Sequence, residues 1–235
     1  MGETSDFYEQ ILKSAGKALI GTIPVVGVLT AEVFGIIFDG QINKRQVSLL
    51  NDLAVRIKEL ENSGLIKIDD LKDNHIFIDV LLEALNFAQR TSNQEKIKAF
   101  QNIVLNTACR KNPSEFYTHT FLQLLNRFTY LHLAVLNVAQ KTLLWFNDNN
   151  VPWIDKSIGI SVDMWRIEMM LCAAIPEING PFALDLIWRD LQDSGLVDDT
   201  PVDKVFENES DLYQTTVTPV GMEFNRFIDD PSNYK

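Results

Sequence analysis

The spacing of apolar residues predicts helices along most of the chain. Apolar positions recur every three or four residues, which is the period of a helix with one buried face. The longest such stripe runs from Gln41 to Glu61, and Gln46 is its one polar interruption. The helices between residues 41 and 110 have short connections, which favours an antiparallel bundle. We expect helices at 6–18, 41–61, 74–90, 92–110, 116–128, 130–139, 162–174, 181–193 and 220–228.

Capping residues and glycines predict where several of these helices begin and end. Asn74 and Thr129 precede apolar runs and are suited to accept a hydrogen bond from the first helical turn. Ser92 has a glutamate three residues later, which is the form of a capping box. Gly64 and Gly195 follow helices, and glycine can adopt the left-handed conformation that ends one. After Gly64 we expect a short loop.

An unusually apolar segment lies near the amino terminus. Residues 18–38 contain a single charge, Glu32, and a segment of this length can span a bilayer. Pro24 and three glycines disfavour one continuous helix, so we expect a hairpin of two short apolar helices. This hairpin is either a core element wrapped by the bundle or a segment that contacts a membrane or a partner once exposed. The candidate contact residues are Ile23, Pro24, Val25, Val26, Gly27, Phe34, Ile36 and Ile37.

The last part of the chain carries a strand pattern between helices. Residues 196–197 and 213–217 are apolar or β-branched and flank an acidic stretch, which predicts a small β-hairpin with a long tip. Three helices, a two-stranded wing and a closing helix follow the order of a winged helix-turn-helix. The expected fold is therefore mainly α, with an apolar amino-terminal hairpin (1–40), a helical bundle (41–114) and an acidic winged-helix domain (115–235).

The net charge of −11 is concentrated in the second half of the chain. Residues 1–119 sum to −2 and residues 120–235 sum to −9. Affinity for duplex DNA depends on cations that neutralise phosphates, so the predicted winged helix has the wrong sign of charge for DNA. The predicted recognition helix, 181–193, offers Asp185, Arg189 and Gln192 as candidate contacts. We expect a protein partner, and a DNA-binding transcription regulator that acts as a dimer is the alternative.

The sequence contains no recognisable catalytic or metal-binding motif. His75, His119 and His132 are far apart, and neither Cys109 nor Cys172 has a second ligand at metal-binding spacing. Nucleophile-elbow and phosphate-loop patterns are also missing from the sequence. We expect His75 and His132 to have structural roles, and we expect no catalytic residue, no metal and no cofactor. An enzyme whose site forms only within a complex stays open.

Short motifs add two resemblances to known proteins. The segments Asp190–Val197 and Thr218–Phe224 resemble the exit of the recognition helix and the start of the last helix in winged-helix proteins. A second set of motifs is similar to the abortive-infection alpha group of bacterial helical proteins, which also ends in a winged-helix-like half. This second resemblance implies phage defence and no particular activity. Its motifs are Ile23–Gly27, Ala31–Glu32, Ala88–Thr91, Glu95–Lys96 and Phe100–Asn106.

These patterns together predict a non-enzymatic interaction or effector protein of bacterial phage defence. The winged-helix half would contact a protein or hold the bundle shut, and the apolar hairpin would stay in the core or become exposed on activation. Two cysteines in apolar runs favour a reducing, cytoplasmic setting. Association with a membrane surface through the hairpin and assembly into a homo-oligomer both stay open.

A membrane role for the apolar hairpin predicts that Val26→Asp and Ile36→Asp reduce leakage from liposomes, because each places a charge in the apolar segment. Dye release from vesicles, measured with the full-length chain and with each variant, tests this expectation. Leakage that neither substitution changes would contradict a membrane-active hairpin.

Overall fold

Amphipathic stripes form helices throughout the part of the chain that the structure describes. The computed structural model describes residues 44–72, 74–109, 114–142, 144, 148, 166–204 and 215–234. The chain is mainly helical in these ranges, which confirms the predicted class. The helices are α1 (Lys44–Asn62), α2 (Ile68–Lys72), α3 (His75–Arg90), α4 (Gln94–Cys109), α5 (Glu115–Arg127), α6 (Tyr130–Gln140), α7 (Ile167–Ala174), α8 (Pro181–Asp193), α9 (Pro219–Ile228) and a 3-10 helix (Pro231–Tyr234).

The chain divides into two compact units. The first unit consists of residues 1–125 and 228–235, and the second unit consists of residues 126–227. The last residues of the chain therefore belong with the amino-terminal part and not with the residues that immediately precede them. The predicted division into 1–40, 41–114 and 115–235 did not anticipate this return of the chain.

The core of the first unit lies between three helices. Helix α3 packs on α4, both contact α1, and α2 packs on α3. The stripe predicted for α1 is buried through Leu49, Leu53 and Ile57, and Gln46 is buried with it. Removing these apolar faces from water is the main force that holds such helices together. The facing surfaces of α3 and α4 contribute Phe77, Val80, Leu81, Leu85, Phe100, Ile103 and Val104.

An arginine in the first unit binds the returning end of the chain. The Arg56 guanidinium donates to Asn102 Oδ1 at 2.8 Å and to Asp230 Oδ2 at 2.7 Å. The side chains of Arg56 and Asp230 are mostly buried, with 23% and 32% of their surface exposed. A guanidinium taken out of water in this way needs acceptors for its donors, and its forked shape suits two acceptors at once.

Two buried amides on α4 complete this attachment. Asn102 Nδ2 donates to the Ile228 carbonyl at 2.9 Å, and Asn106 Nδ2 donates to the Asp229 carbonyl at 2.8 Å. A buried amide that loses its acceptor costs about 1–3 kcal/mol. We call the four side chains that hold the returning segment the C-terminal anchor, and they are Arg56, Asn102, Asn106 and Asp230.

The second unit is built around α6, which contacts both α7 and α8. Its buried side chains include Leu136 on α6, Leu171 on α7 and Trp188 on α8. Phe128, just before α6, meets Phe224 of α9 edge to face, with ring centroids 6.2 Å apart. The order of elements along this unit is α6, α7, α8 and α9.

The start of α9 fits closely against the segment that follows α8. The Thr218 hydroxyl donates to the Gly195 carbonyl at 2.6 Å and accepts from the Gly221 backbone N–H at 3.0 Å. Thr218 therefore caps α9, in agreement with the predicted helix start. A Cβ atom at Gly221 would collide with the Leu196 carbonyl, so this position requires glycine.

The described parts of the two predicted hairpin strands meet in an antiparallel contact. Val197 and Val217 form an isolated β-bridge, and the Asp198 N–H donates to the Thr216 carbonyl at 2.8 Å. The described residues form no β-strand in this region, and residues 205–214, the predicted tip of the hairpin with part of its second strand, lie outside the described ranges.

The predicted cap of α4 is wrong by one residue. Asn93, not Ser92, accepts from the Lys96 backbone N–H at 2.9 Å. The Thr91 hydroxyl in turn accepts from the Asn93 N–H at 3.3 Å and holds the capping residue in place. Asparagine is as strong a cap as serine, so the pattern allowed either residue. At α3 the predicted cap is confirmed, since Asn74 Oδ1 accepts from the backbone N–H of the third helical residue at 3.0 Å.

The expected loop after Gly64 contains the short helix α2. Gly64 itself has a φ of 74°, the left-handed conformation predicted for it. Asp69 and Asp70 lie in the first turn of α2, where the helix dipole favours negative charge. Ile68 and Leu71 are buried, which ties this short helix to the core.

Several predictions concern residues outside the described ranges. They include the helix at 6–18 and the apolar hairpin with all of its candidate contacts from Ile23 to Ile37. The beginnings of the helices predicted from residues 41 and 162 also lie outside those ranges. Among the helices that the structure describes, none combines the length and the apolar character needed to cross a membrane.

The anchor makes the stability of the first unit depend on pH. Burial alone would raise the pKa of Asp230, but hydrogen bonds from the Ser232 N–H and hydroxyl and the charges of Arg56 and Lys98 outweigh it and lower this pKa. The ionised carboxylate therefore stabilises the fold above its unfolded pKa of about 3.9. This stabilisation is lost as the pH falls through the lower folded pKa.

Asp230→Asn should lower the free energy of unfolding by about 1 kcal/mol at neutral pH, because the amide loses the charge pair with Arg56. The difference from the wild type should shrink as the pH falls below about 4, because the unfolded carboxylate becomes neutral there and the folded carboxylate becomes neutral at still lower pH. Urea unfolding of both proteins over this range measures the difference, with Asp199→Asn, at an exposed position, as the control. A difference that stays the same at every pH would contradict the role of the Asp230 charge.

Candidate functional site

Helix α8 of the second unit carries the predicted contact residues, and local sequence fixes its ends. Pro181 is the first helical residue, where its missing N–H costs nothing. Gly180 before it has a φ of 89° and Gly195 after the helix has a φ of 68°, so both ends need glycine. The predicted range 181–193 is confirmed. One side of α8 faces the core through Leu184, Ile187, Trp188 and Leu191.

The opposite side of α8 exposes two large apolar side chains. Phe182 is 90% exposed and Leu186 is 64% exposed. Positions four residues apart lie on the same helix face, so the two side chains are neighbours. Exposed apolar side chains that cluster, and are not scattered singly, mark candidate interaction surfaces. We call this face the α8 ridge, and it comprises Phe182, Asp185, Leu186, Arg189 and Asp193.

The two charged candidate contacts on the ridge bind each other. Arg189 Nη2 lies 3.0 Å from Asp185 Oδ2, one helical turn away. The Arg189 side chain is 70% exposed, so the pair is solvated and its stabilising effect is small. The pairing nevertheless cancels the positive charge that a nucleic-acid contact at Arg189 would use.

The third candidate contact, Gln192, serves the local structure. Gln192 Nε2 donates to the Asp198 carbonyl at 2.9 Å and to the Thr200 carbonyl at 3.1 Å. Trp188 Nε1 donates to the same Thr200 carbonyl at 2.9 Å. Both side chains therefore fix the segment after α8. The structure thus brings Asp185 and Arg189 together on the outer face and directs Gln192 towards that segment.

A buried histidine links the start of α6 to α8. His132 Nε2 lies 3.2 Å from Asp190 Oδ2, and its Nδ1 accepts from the Thr129 N–H at 3.2 Å. The imidazole stacks on Phe128 with ring centroids 5.0 Å apart and an interplanar angle of 9°. Both ring nitrogens are therefore bonded within the fold, which is compatible with the structural role expected of His132.

A second contact, from Arg127, reaches the end of α8. The Arg127 guanidinium donates to the Ser194 hydroxyl and lies 5.1 Å from the centre of the Phe128 ring. The Ser194 hydroxyl donates in turn to the Asp190 carbonyl. These bonds hold α8 at its carboxyl end, so the ridge has a fixed orientation within the second unit.

The first unit contains an open cleft of about 720 Å³. It lies between α1 and the start of α4, and its cations Arg56 and Lys98 face the acids Asp52, Glu95 and Asp230. Arg56 is already committed to the C-terminal anchor. Across the described residues there is no group of three histidine, cysteine, aspartate or glutamate side chains that could hold a metal ion.

Phe182 and Leu186 were not among the residues predicted to contact a partner. Phe182 is one of the apolar residues of α8, together with Leu184, Ile187, Trp188 and Leu191, which are buried. The helical period separates it from them, because it lies on the side opposite Leu184, Ile187 and Leu191. The signal was therefore present in the spacing, but it could not say which face would be covered.

Comparison with known proteins adds no relative. The chain matches no protein-family model, no curated protein and no solved structure. The candidate site consequently depends on the geometry and charge of α8 itself.

Two leucines of α8 provide a matched test of this geometry. Leu184 is fully buried, so Leu184→Ala should cost about 2–5 kcal/mol of unfolding free energy through lost burial and a cavity. Leu186 is mostly exposed, so Leu186→Ala should change stability by no more than about 0.5 kcal/mol. Urea unfolding monitored by circular dichroism compares the two variants directly. Equal losses of stability would contradict the assignment of the inner and outer faces.

Proposed function

We propose that this chain is a non-enzymatic interaction protein of bacterial phage defence and that its second unit is a winged-helix module that contacts a protein. Helices α6, α7 and α8, the bridge between Val197 and Val217, and α9 follow the order of a winged helix-turn-helix, which supports this interpretation. The defence role comes from the resemblance of the motifs between Ile23 and Asn106 to the abortive-infection alpha group.

The observation that carries the proposal is the chemistry of the α8 ridge. In a winged-helix regulator this face enters the major groove and reads base edges with cations and amides. Here Phe182 and Leu186 occupy it, Arg189 is paired with Asp185, and Gln192 is bonded to backbone carbonyls. An apolar face of this kind suits a protein surface that can bury it.

One histidine of the second unit and one cysteine in each unit support a non-enzymatic role. The His132 imidazole is bonded on one side to Thr129 and on the other to Asp190, so its ring nitrogens hold elements together. Burial raises the pKa of the Cys109 thiol. Burial, with Glu168 as a second cause, also raises the pKa of the Cys172 thiol. Raised pKa values reduce the thiolate fraction and with it the nucleophilicity of both cysteines.

In this proposal the apolar hairpin is an effector segment, either buried in the core or exposed to a membrane or a partner on activation. Its residues lie outside the described ranges, so the support comes from the apolar character of residues 18–38. Partner binding at the α8 ridge would be the event that precedes its exposure.

The test is phage resistance of a bacterium that expresses the chain, challenged with a panel of phages. The wild type should reduce plaque formation by at least one phage, and the double variant Phe182→Asp/Leu186→Asp should restore plaques, because two charges on the ridge prevent its burial. The matched control is Val220→Asp, since Val220 is an exposed apolar residue of α9. Cellular levels of all three proteins are compared by immunoblot.

Three results would contradict the proposal. The wild type could give no resistance to any phage, or the ridge variant could protect as well as the wild type. The third is salt-sensitive binding to genomic duplex that Arg189→Glu abolishes, which would favour the DNA-binding regulator.

A further inference from the structure

The α8 ridge also specifies the chemistry of its partner. We infer that it inserts into an apolar groove of a protein whose rim is basic, an inference that rests on the proposed function and names the partner class of the same surface. This chain supplies the helix face and the partner supplies the groove, as in other cases of helix-in-groove recognition.

Phe182 and Leu186 form the apolar part of the ridge, and we call them the apolar pair. Phe182 and Leu186 are 90% and 64% exposed and lie one turn apart on the outer face. Large apolar side chains that fill a pocket contribute most to binding when a polar rim excludes water around them. On α8 that rim is supplied by Asp185, Arg189 and Asp193, which lie on the same face.

The charge around the apolar pair indicates which charge the surface of the partner carries. Residues 181–204 contain six aspartates against two cations, Arg189 and Lys204. Arg189 lies 3.0 Å from Asp185, so the charge of the cation beside the apolar pair is locally neutralised. Asp193, Asp198 and Asp199 are exposed beyond it. Complementarity therefore requires lysines or arginines on the rim of the groove.

The same charge argues against the other occupants. Duplex nucleic acid and anionic lipid surfaces are repelled by a net acidic face. A second copy of the chain would bring two acidic faces together, which like-charge repulsion opposes. An apolar protein groove with a basic rim complements both the apolar pair and the acidic residues around it.

The ridge is also held in place before any partner arrives. Asp190, one residue beyond Arg189, bonds to His132, and Arg127 bonds to Ser194 just past the helix end. Trp188 and Gln192 fix the segment that follows. A surface whose supporting side chains are already ordered loses less conformational entropy on binding.

The experiment selects partners by chemistry from an mRNA-displayed library of random peptides, each long enough for two helices of about four turns joined by a turn, so that the helix pair can form a groove. The bait is the full chain, and binders to the double variant Phe182→Asp/Leu186→Asp are removed in each round. Enriched peptides should combine apolar residues at helical spacing with a net positive charge. They should bind the double variant at least about tenfold more weakly than the wild type. Their affinity should also fall by about tenfold or more between about 50 and 200 mM salt.

Two control variants test whether binding requires the ridge and whether it depends on the charge of the ridge. Val220→Asp should bind the selected peptides as the wild type does, because Val220 lies on α9, outside the ridge. Arg189→Ala, which leaves Asp185 without its cation and makes the ridge more negative, should bind them more tightly than the wild type does. Thermal unfolding of each variant verifies that the fold is retained.

Several outcomes would overturn the inference. In the peptide selection, these are enrichment of acidic or uncharged peptides, no enrichment at all, or enriched peptides that still bind the double variant. Two further contradicting results are a dimer in sedimentation that Phe182→Asp abolishes and DNA binding that Arg189→Glu abolishes. If the double variant loses phage resistance while the enriched peptides are uncharged or acidic, only the partner chemistry is wrong. If basic peptides are enriched while the double variant keeps resistance, only the proposed function fails.

Discussion

The Arg56 guanidinium imposes the constraint on which the chain's organisation depends. It is a mostly buried cation on α1, and its acceptors are Asn102 on α4 and Asp230 near the carboxyl terminus. Because an unpaired buried cation is costly, the pairing with Asp230 favours the return of the last residues to the first unit. The carbonyls of Ile228 and Asp229 then satisfy Asn102 and Asn106. The chain of the second unit thus leaves the first unit after residue 125 and rejoins it at residue 228.

Within the second unit, the two faces of α8 have different surroundings. Its inner face, its polar side chain Gln192 and its link to His132 all serve the fold. The outer face keeps two apolar side chains and an ion pair in solvent. Exposing Phe182 in this way gains nothing for folding. In the function that we propose, a partner protein covers it, and the acidic surroundings favour a basic partner.

Local features of the fold were accessible from the sequence, while its long-range features were not. The ends of α8 followed from Pro181 and Gly195, and the stripe of α1 followed from helical periodicity. The cap of α4 was misassigned because Ser92 and Asn93 are both good caps and the choice depends on backbone geometry. The pairing of Arg56 with Asp230 spans 174 positions, and nothing in the local pattern indicates it. The exposure of Phe182 was likewise hidden, since periodicity defines faces but not which neighbour covers them.

We propose that a protein covers the outer face of α8 in the infected cell. A photo-crosslinking amino acid incorporated at position 186 or, as a control, at position 220 tests this proposal. After irradiation of phage-infected cells, we expect one discrete protein adduct from position 186 that disappears when Phe182→Asp is also present. Position 220 should give no such adduct. Equal adducts from both positions, or none from position 186, would show that no protein covers this face.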